Sequence, residues 1–189
     1  EEVVDVALLF TYMSPPEGRN IALIGGGGGA SVQAADACAD AGLNMPTPPI
    51  EVRQRLRDLF TTEAGMSFKN PLDIWARGSQ DTVQKAIEII ADCDPIDLLI
   101  IHVAFDTPPI ASRAMLTRAN IESIANLGKE IKRRTAVVLH SAAMVKSKQL
   151  ASEVQAVVCK ARLPVYPSAS QAANAISKFI QYHQQRGTS

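Results

Sequence analysis

Long apolar runs, one-signed charge, aromatic residues and paired cysteines are all scarce in this 189-residue chain. The most apolar run, Leu98 to Phe105, is broken by His102 and is far too short to cross a bilayer. Nineteen Lys and Arg balance nineteen Asp and Glu, so the net charge is +0 and no broad electrostatic footprint for nucleic acid or an anionic membrane exists. Aromatic residues are only 5% of the chain and none flanks the glycine tract described below, which argues against a flavin. The three cysteines, Cys38, Cys93 and Cys159, are too few and too widely spaced for a disulfide framework or a CxxC pair. They read as free thiols in a reducing cytoplasm. No charged-then-apolar leader opens the chain, so secretion is not indicated. Its first residue is Glu1 rather than Met, which reads as processing or as a piece of something larger.

What is present is ordinary globular material, 47% hydrophobic and 20% charged, enough for one domain with an appendage. Apolar runs suited to strands buried on both faces occur at Ile21–Ile24, Asp97–Val103 and Thr135–His140. Shorter strands are expected at Leu43–Met45, Met66–Phe68 and Pro164–Tyr166. Between them the spacing predicts helices over 1–13, from Ala30-Ser31 to Ala41, over Glu51–Phe60, Gln80–Ala91, Arg113–Arg133, Lys148–Ala161 and Ala169–His183. Ser31 is expected to cap the second of these, Gly42 to end it, and Ser79 to cap the helix from Gln80. Alternating buried strands and amphipathic helices indicate a three-layer α/β/α sandwich with a mostly parallel, flavodoxin-like sheet. Residues 1–17 read as an N-terminal docking or linker helix, and 18–189 as the flavodoxin-like domain.

In such sheets ligands bind beyond the carboxyl ends of the strands. That brings Gly25–Ser31, Asn70–Asp73, His102–Pro109 and His140–Ala143 together. Five consecutive glycines, Gly25 to Gly29, join a buried strand to a helix. Backbone without Cβ atoms approaches a ligand closely, and the helix start contributes roughly half a positive charge. Gly26, Gly27, Gly28, Gly29, Ala30 and Ser31 are therefore candidate phosphate-binding residues; a flexible or tightly packed turn is the alternative. The dinucleotide fingerprint needs an acid about 20 residues on, where Asn44-Met45-Pro46-Thr47 stands instead. A Walker loop needs a lysine, and Ala30-Ser31 supplies none. What remains is a bare phosphoryl group, as inorganic phosphate or on a residue brought in from elsewhere. Asn70 is a further candidate contact, with Asp73, His102 and His140 as candidate walls. The alternatives are turn chemistry for Asn70 and Asp73, and hydrogen-bonded strand-end histidines for His102 and His140. No second carboxylate stands near Asp73 at ligand spacing, so no metal site is expected, and no catalytic residue is identified.

The order Gly18-Arg19-Asn20-Ile21-Ala22-Leu23-Ile24, glycines, Ala34-Ala35-Asp36-Ala37, Ala41-Gly42-Leu43 and Asn70-Pro71-Leu72-Asp73 resembles the NDP-forming (ADP-forming) acyl-CoA synthetases, relatives of succinyl-CoA synthetase. The resemblance covers nearly the whole chain and implies their second flavodoxin-like ligase-CoA domain. It implies a share in the reversible conversion of acyl-CoA, phosphate and NDP to acid, CoA and NTP. In that family a phosphorylated histidine on a mobile segment is held at glycine-loop helices. No CoA-binding Rossmann unit, ATP-grasp domain or histidine-bearing segment of the family is found here. The resemblance therefore implies partner domains carrying those parts, in the same polypeptide or another subunit, with ATP/ADP, Mg and CoA serving the complete, oligomeric enzyme. The isolated chain is expected to be inactive and cytoplasmic, with no nucleic-acid or membrane partner. The other reading is a non-catalytic flavodoxin-like domain that binds a small anionic ligand.

Overall fold

Strands that are apolar at every position must be covered on both faces, and the chain does this with helices on either side of one sheet. A computed structural model of the protein describes residues 2–25, 27–62, 64–74, 79–104, 133–140 and 145–187. Its elements run α1 (Glu2–Tyr12), β1 (Ile21–Gly25), α2 (Gly28–Asp40), α3 (Ile50–Arg57), α4 (Gln80–Ala91), β2 (Leu98–Ala104), β3 (Arg134–His140), α5 (Val145–Lys160), β4 (Val165–Tyr166) and α6 (Ala169–Gly187). The four strands are parallel in the order β1-β2-β3-β4.

Alternation along the strands divides the core in two. Ile21, Leu23, Leu98, Ile100, Ala136 and Val138 pack with Leu9 of α1, Ala34 and Cys38 of α2, and Ile176 and Phe179 of α6. Ala22, Ile24, Leu99, Ile101, Val137 and Leu139 pack with Leu56 of α3, Val83 and Ile87 of α4, and Val154 and Val158 of α5. The result is the expected three-layer α/β/α sandwich. On the first face α1 lies along α6. Its Phe10 meets Phe179 edge to face at 4.9 Å, and its Asp5 carbonyl accepts from the Tyr166 hydroxyl at 2.9 Å.

The outer edge of β1, where a flavodoxin-like sheet places its second strand, is closed differently from the expectation. Neither Leu43–Met45 nor Met66–Phe68 forms a strand of the sheet. Asn44 bridges to Asn20, just before β1, and Leu72 to Ile24 within it, while Ser67 bridges antiparallel to Asp73. Asn44 accepts from the Ile21 N–H at 2.8 Å; Leu72 donates to the Leu23 carbonyl at 2.8 Å and accepts from the Gly25 N–H at 2.9 Å. Between them the Asn70 side chain takes the place of backbone. Its Oδ1 accepts from the Leu23 N–H at 3.0 Å, and its Nδ2 donates to the carbonyls of Ile21 and Pro46. The backbone groups on this edge of β1 are thus satisfied by three short pieces rather than by a strand, as buried amides require.

The motif residues before β1 are structural. A side chain at Gly18 would collide with the Asp97 carboxylate, which accepts from the Asn20 N–H at 2.9 Å. Arg19 reaches the Gly42 carbonyl and the Ser177 hydroxyl, tying the end of α2 to α6. Gly42, at φ 71°, ends α2 as expected. Its N–H bonds the Ala39 carbonyl and that of Leu43 bonds Cys38, closing a Schellman turn. The other end of α2 differs: the helix begins at Gly28 with Gly27 as its cap, so Ser31 lies inside the first turn and does not cap it. Ser79 does cap α4, accepting from the Thr82 N–H at 3.2 Å. The helix expected over Arg113–Arg133 lies outside the described residues, apart from Arg133.

Candidate functional site: the glycine turn at the sheet's carboxyl edge

Gly25 is the last residue of β1, and the chain reaches α2 through a turn that only glycine adopts easily. Gly25 has φ 98°, and Gly27 has φ 75° with ψ 162°, a region essentially closed to residues with a Cβ. From Gly28 the backbone is helical, and the first helical bond runs from the Ser31 N–H to the Gly27 carbonyl at 2.8 Å. Gly28 and Gly29 are exposed, and a Cβ on either would meet nothing within 4 Å. Their N–H groups, with that of Ala30, have no acceptor among the described residues. No side chain caps the helix, and its first turn holds no acidic residue. Among the described residues the turn is therefore open, electropositive at the backbone, and supplied with donors that have no partner. Gly26 lies outside the described residues.

Ser31 is buried and already engaged on both polar groups. Its hydroxyl donates to the Gly25 carbonyl at 2.8 Å, bracing one end of the turn against the other. Asn70 is likewise engaged: its amide is used up on β1, as described above. Ser31 thus holds the turn, and Asn70 holds the edge of β1 that leads into it.

The register puts the remaining candidates beside the turn. Gly25 is the direct partner of His102, and His140 that of Ala104. His102 follows Leu98 and Ile100 in alternation, so its ring lies on the α2 face of the sheet. It is 4% exposed, and neither ring nitrogen has a hydrogen-bond partner among the described residues. Burial, and then the neighbouring His140, push its pKa down to about 4, so the ring is neutral at pH 7. The His140 ring stands edge-on to it, 6.2 Å between centroids, and is exposed. The expected alternative of hydrogen-bonded strand-end histidines therefore does not describe His102.

Asp73 is one residue past the Leu72–Ile24 bridge. Leu72 and Ile74 both enter the α4-side core, which turns Asp73 toward the α2 face; burial raises its carboxyl pKa. The turn, Asp73 and His102 thus occupy one corner of the carboxyl edge. The parts of the expected loops at 105–109 and 141–143 lie outside the described residues. Among the described residues no three His, Cys, Asp or Glu side chains gather as metal ligands, and no helix is long and apolar enough to cross a membrane. The three thiols are unpaired; Cys38 is buried, and burial raises its pKa to about 12. A separate recess lined by Glu2, Asp5, Gln171 and Asn174 lies beside the start of α6, past the carboxyl end of β4.

Sequence reasoning found the turn and the two histidines but missed Asn70 as a stand-in for a strand. A side chain pairing with backbone leaves no periodic trace. The only signal was the Asn-Pro-Leu-Asp element itself.

No known family profile matches the chain. Over 100 residues it is 28% identical to the ADP-forming acetate–CoA ligase I of Archaeoglobus fulgidus, a match covering 53% of this chain and 14% of that protein. A solved structure from Pyrococcus horikoshii OT3 superposes with a TM-score of 0.79 at 21% identity, covering 98% of this chain and 40% of that one. The dinucleotide-forming acetyl-coenzyme A synthetase 1 of Ca. Korarchaeum cryptofilum, solved as the apo form and in complex with phosphate and ADP, gives a TM-score of 0.78 at 22% identity, covering 98% of this chain and 38% of that one. The chain thus spans well under half the length of each of these proteins. Over 100 residues the chain is thus similar in sequence to an ADP-forming acetate–CoA ligase, and over nearly its whole length it shares the fold of one part of an acetyl-coenzyme A synthetase.

Proposed function

We propose that this chain is the phosphoryl-binding domain of an NDP-forming acyl-CoA synthetase, which converts acyl-CoA, phosphate and NDP to acid, CoA and NTP. The carrying observation is the open glycine turn, where the N–H groups of Gly28, Gly29 and Ala30 have no acceptor among the described residues, at a helix start on the carboxyl edge of the sheet. A phosphoryl group on a histidine from another segment accepts these donors as charge-assisted hydrogen bonds. Gly27 shapes the turn and Ser31 braces it, Asn70 holds the edge of β1 that leads into it, and Gly26 is a further candidate contact from the sequence. Asp73, His102 and His140 form its walls. The fold it shares with a synthetase solved with phosphate and ADP supports the same reading.

On this reading the chain holds a phosphoryl group but makes and breaks no bond by itself, so it is inactive alone. The CoA-binding part, the phosphorylated histidine and the ATP-grasp part come from partner domains, and CoA, nucleotide and Mg serve the complete enzyme there. The free buried thiols suit a cytoplasmic setting.

The test is Gly28→Val in the assembled enzyme. A Cβ at this helical position meets open space, so the fold tolerates the side chain, while its methyl groups stand where the phosphoryl oxygens would sit. Loss of phosphoryl transfer with unchanged melting is the expected result. Unchanged turnover refutes the role.

A further inference from the structure

We propose that His102 is the side-chain donor of this phosphoryl site, reaching the anion from the sheet side while the glycine turn holds it from the helix side. The inference rests on the phosphoryl reading of the turn and adds to it a residue and a direction of approach. A buried polar group without a partner is costly and rare in a native fold. His102 is such a group twice over, since both ring nitrogens lack partners among the described residues and the residue is only 4% exposed.

Its position supplies the missing partner. In the sheet His102 stands directly beside Gly25, the residue that opens the glycine turn, and its ring lies on the face that α2 covers. Gly25 carries no side chain, so none from that position comes between the ring and the turn. Val138, the His102 partner on the other side, is fully buried and apolar. On that row, therefore, neither neighbour offers a polar group, and the turn is where a polar ligand is held. His140 stands edge-on nearer the carboxyl edge and covers the ring without bonding it. A neutral imidazole offers one N–H donor, which suits a phosphoryl oxygen that the turn's amides already orient. The Ser31 hydroxyl is bound to Gly25 and the Asn70 amide to β1, so neither competes for this task.

The experiment is a titration of the 189-residue chain with inorganic phosphate, followed by NMR of the imidazole nitrogens and of the Gly28 and Gly29 amides together. The expected result is that the His102 ring signals move along the same saturating curve as the two amides, while those of His183 stay put. His102→Leu, which replaces the unpartnered ring with an apolar side chain, is expected to melt no lower than the parent and to weaken phosphate binding by about tenfold or more. His102→Gln, which keeps an N–H donor, recovers part of that loss. If the glycine amides respond while the His102 ring does not, and His102→Leu binds within about twofold of the parent, this inference falls and the glycine turn stands. If neither the amides nor the ring respond, the phosphoryl reading falls with it.

Discussion

Asn70 does with one side chain what a strand would do with two backbone groups. Its amide oxygen and both amide hydrogens are engaged on the edge of β1 and on Pro46. Asn70→Ala leaves Leu23 N–H and Ile21 C=O without those partners on the outer edge of β1. At about 1 kcal/mol per bond, and more for a buried group left unpaired, the expected destabilisation is about 2–4 kcal/mol in chemical denaturation. A change below about 0.5 kcal/mol contradicts the assignment. His102 makes a prediction of the opposite kind. The folded chain refuses its proton down to about pH 4, whereas an unfolded chain accepts it near the ordinary value of 6.5. Between those limits the unfolded state binds more protons, so stability falls as pH drops through that window and the effect is complete below it. This one group accounts for up to about 3 kcal/mol. Denaturation at pH 7 and pH 4.5 checks it: His102→Leu is expected to lose that part of the slope, and an unaltered slope counts against a buried neutral ring.

At the scale of elements, the glycine turn sets helix stability against the proposed binding. Gly28 and Gly29 sit in helical backbone with space for a side chain, where alanine is favoured by about 0.5–1 kcal/mol each. Gly27 has a backbone that alanine resists, at a cost of about 1–3 kcal/mol. Gly29→Ala is therefore expected to raise the melting temperature, and Gly27→Ala to lower it. The same sign for both would mean that the turn is not built as described. How legible these elements were follows from where their information lies. The Gln80–Ala91 helix was readable to its ends because its apolar spacing and the Ser79 cap are local. β1, β2 and β3 were readable because strands buried on both faces leave unbroken apolar runs. The cap of α2 is displaced by four residues from the Ser31 expectation, to Gly27. Low helix propensity argues against starting a helix on glycine, and the Ser31 hydroxyl turns back to Gly25 instead of capping. The second-strand position was misread because its bonds come from Asn44, Leu72 and one amide side chain, which show no common pattern in sequence.

For the whole molecule, the sheet order and the two cores bring the carboxyl ends of β1 and β2 to one corner with the start of α2. That corner was foreseeable from the α/β class alone. The pairing of Gly25 with His102 was not, because register is set by tertiary packing across 76 residues of intervening chain. The remaining surface agrees with a domain that works within a larger assembly. Val3 and Val4 of α1 stay 83% and 64% exposed while Leu9 is buried on the core, so the helix is anchored on one side only. On the proposed reading the turn's main-chain amides take up an oxyanion. The measurement that tests this most directly is amide NMR of the chain during a phosphate titration: saturable shifts centred on Gly28, Gly29 and Ala30 are predicted, and shifts that are absent there or centred on another surface would contradict it.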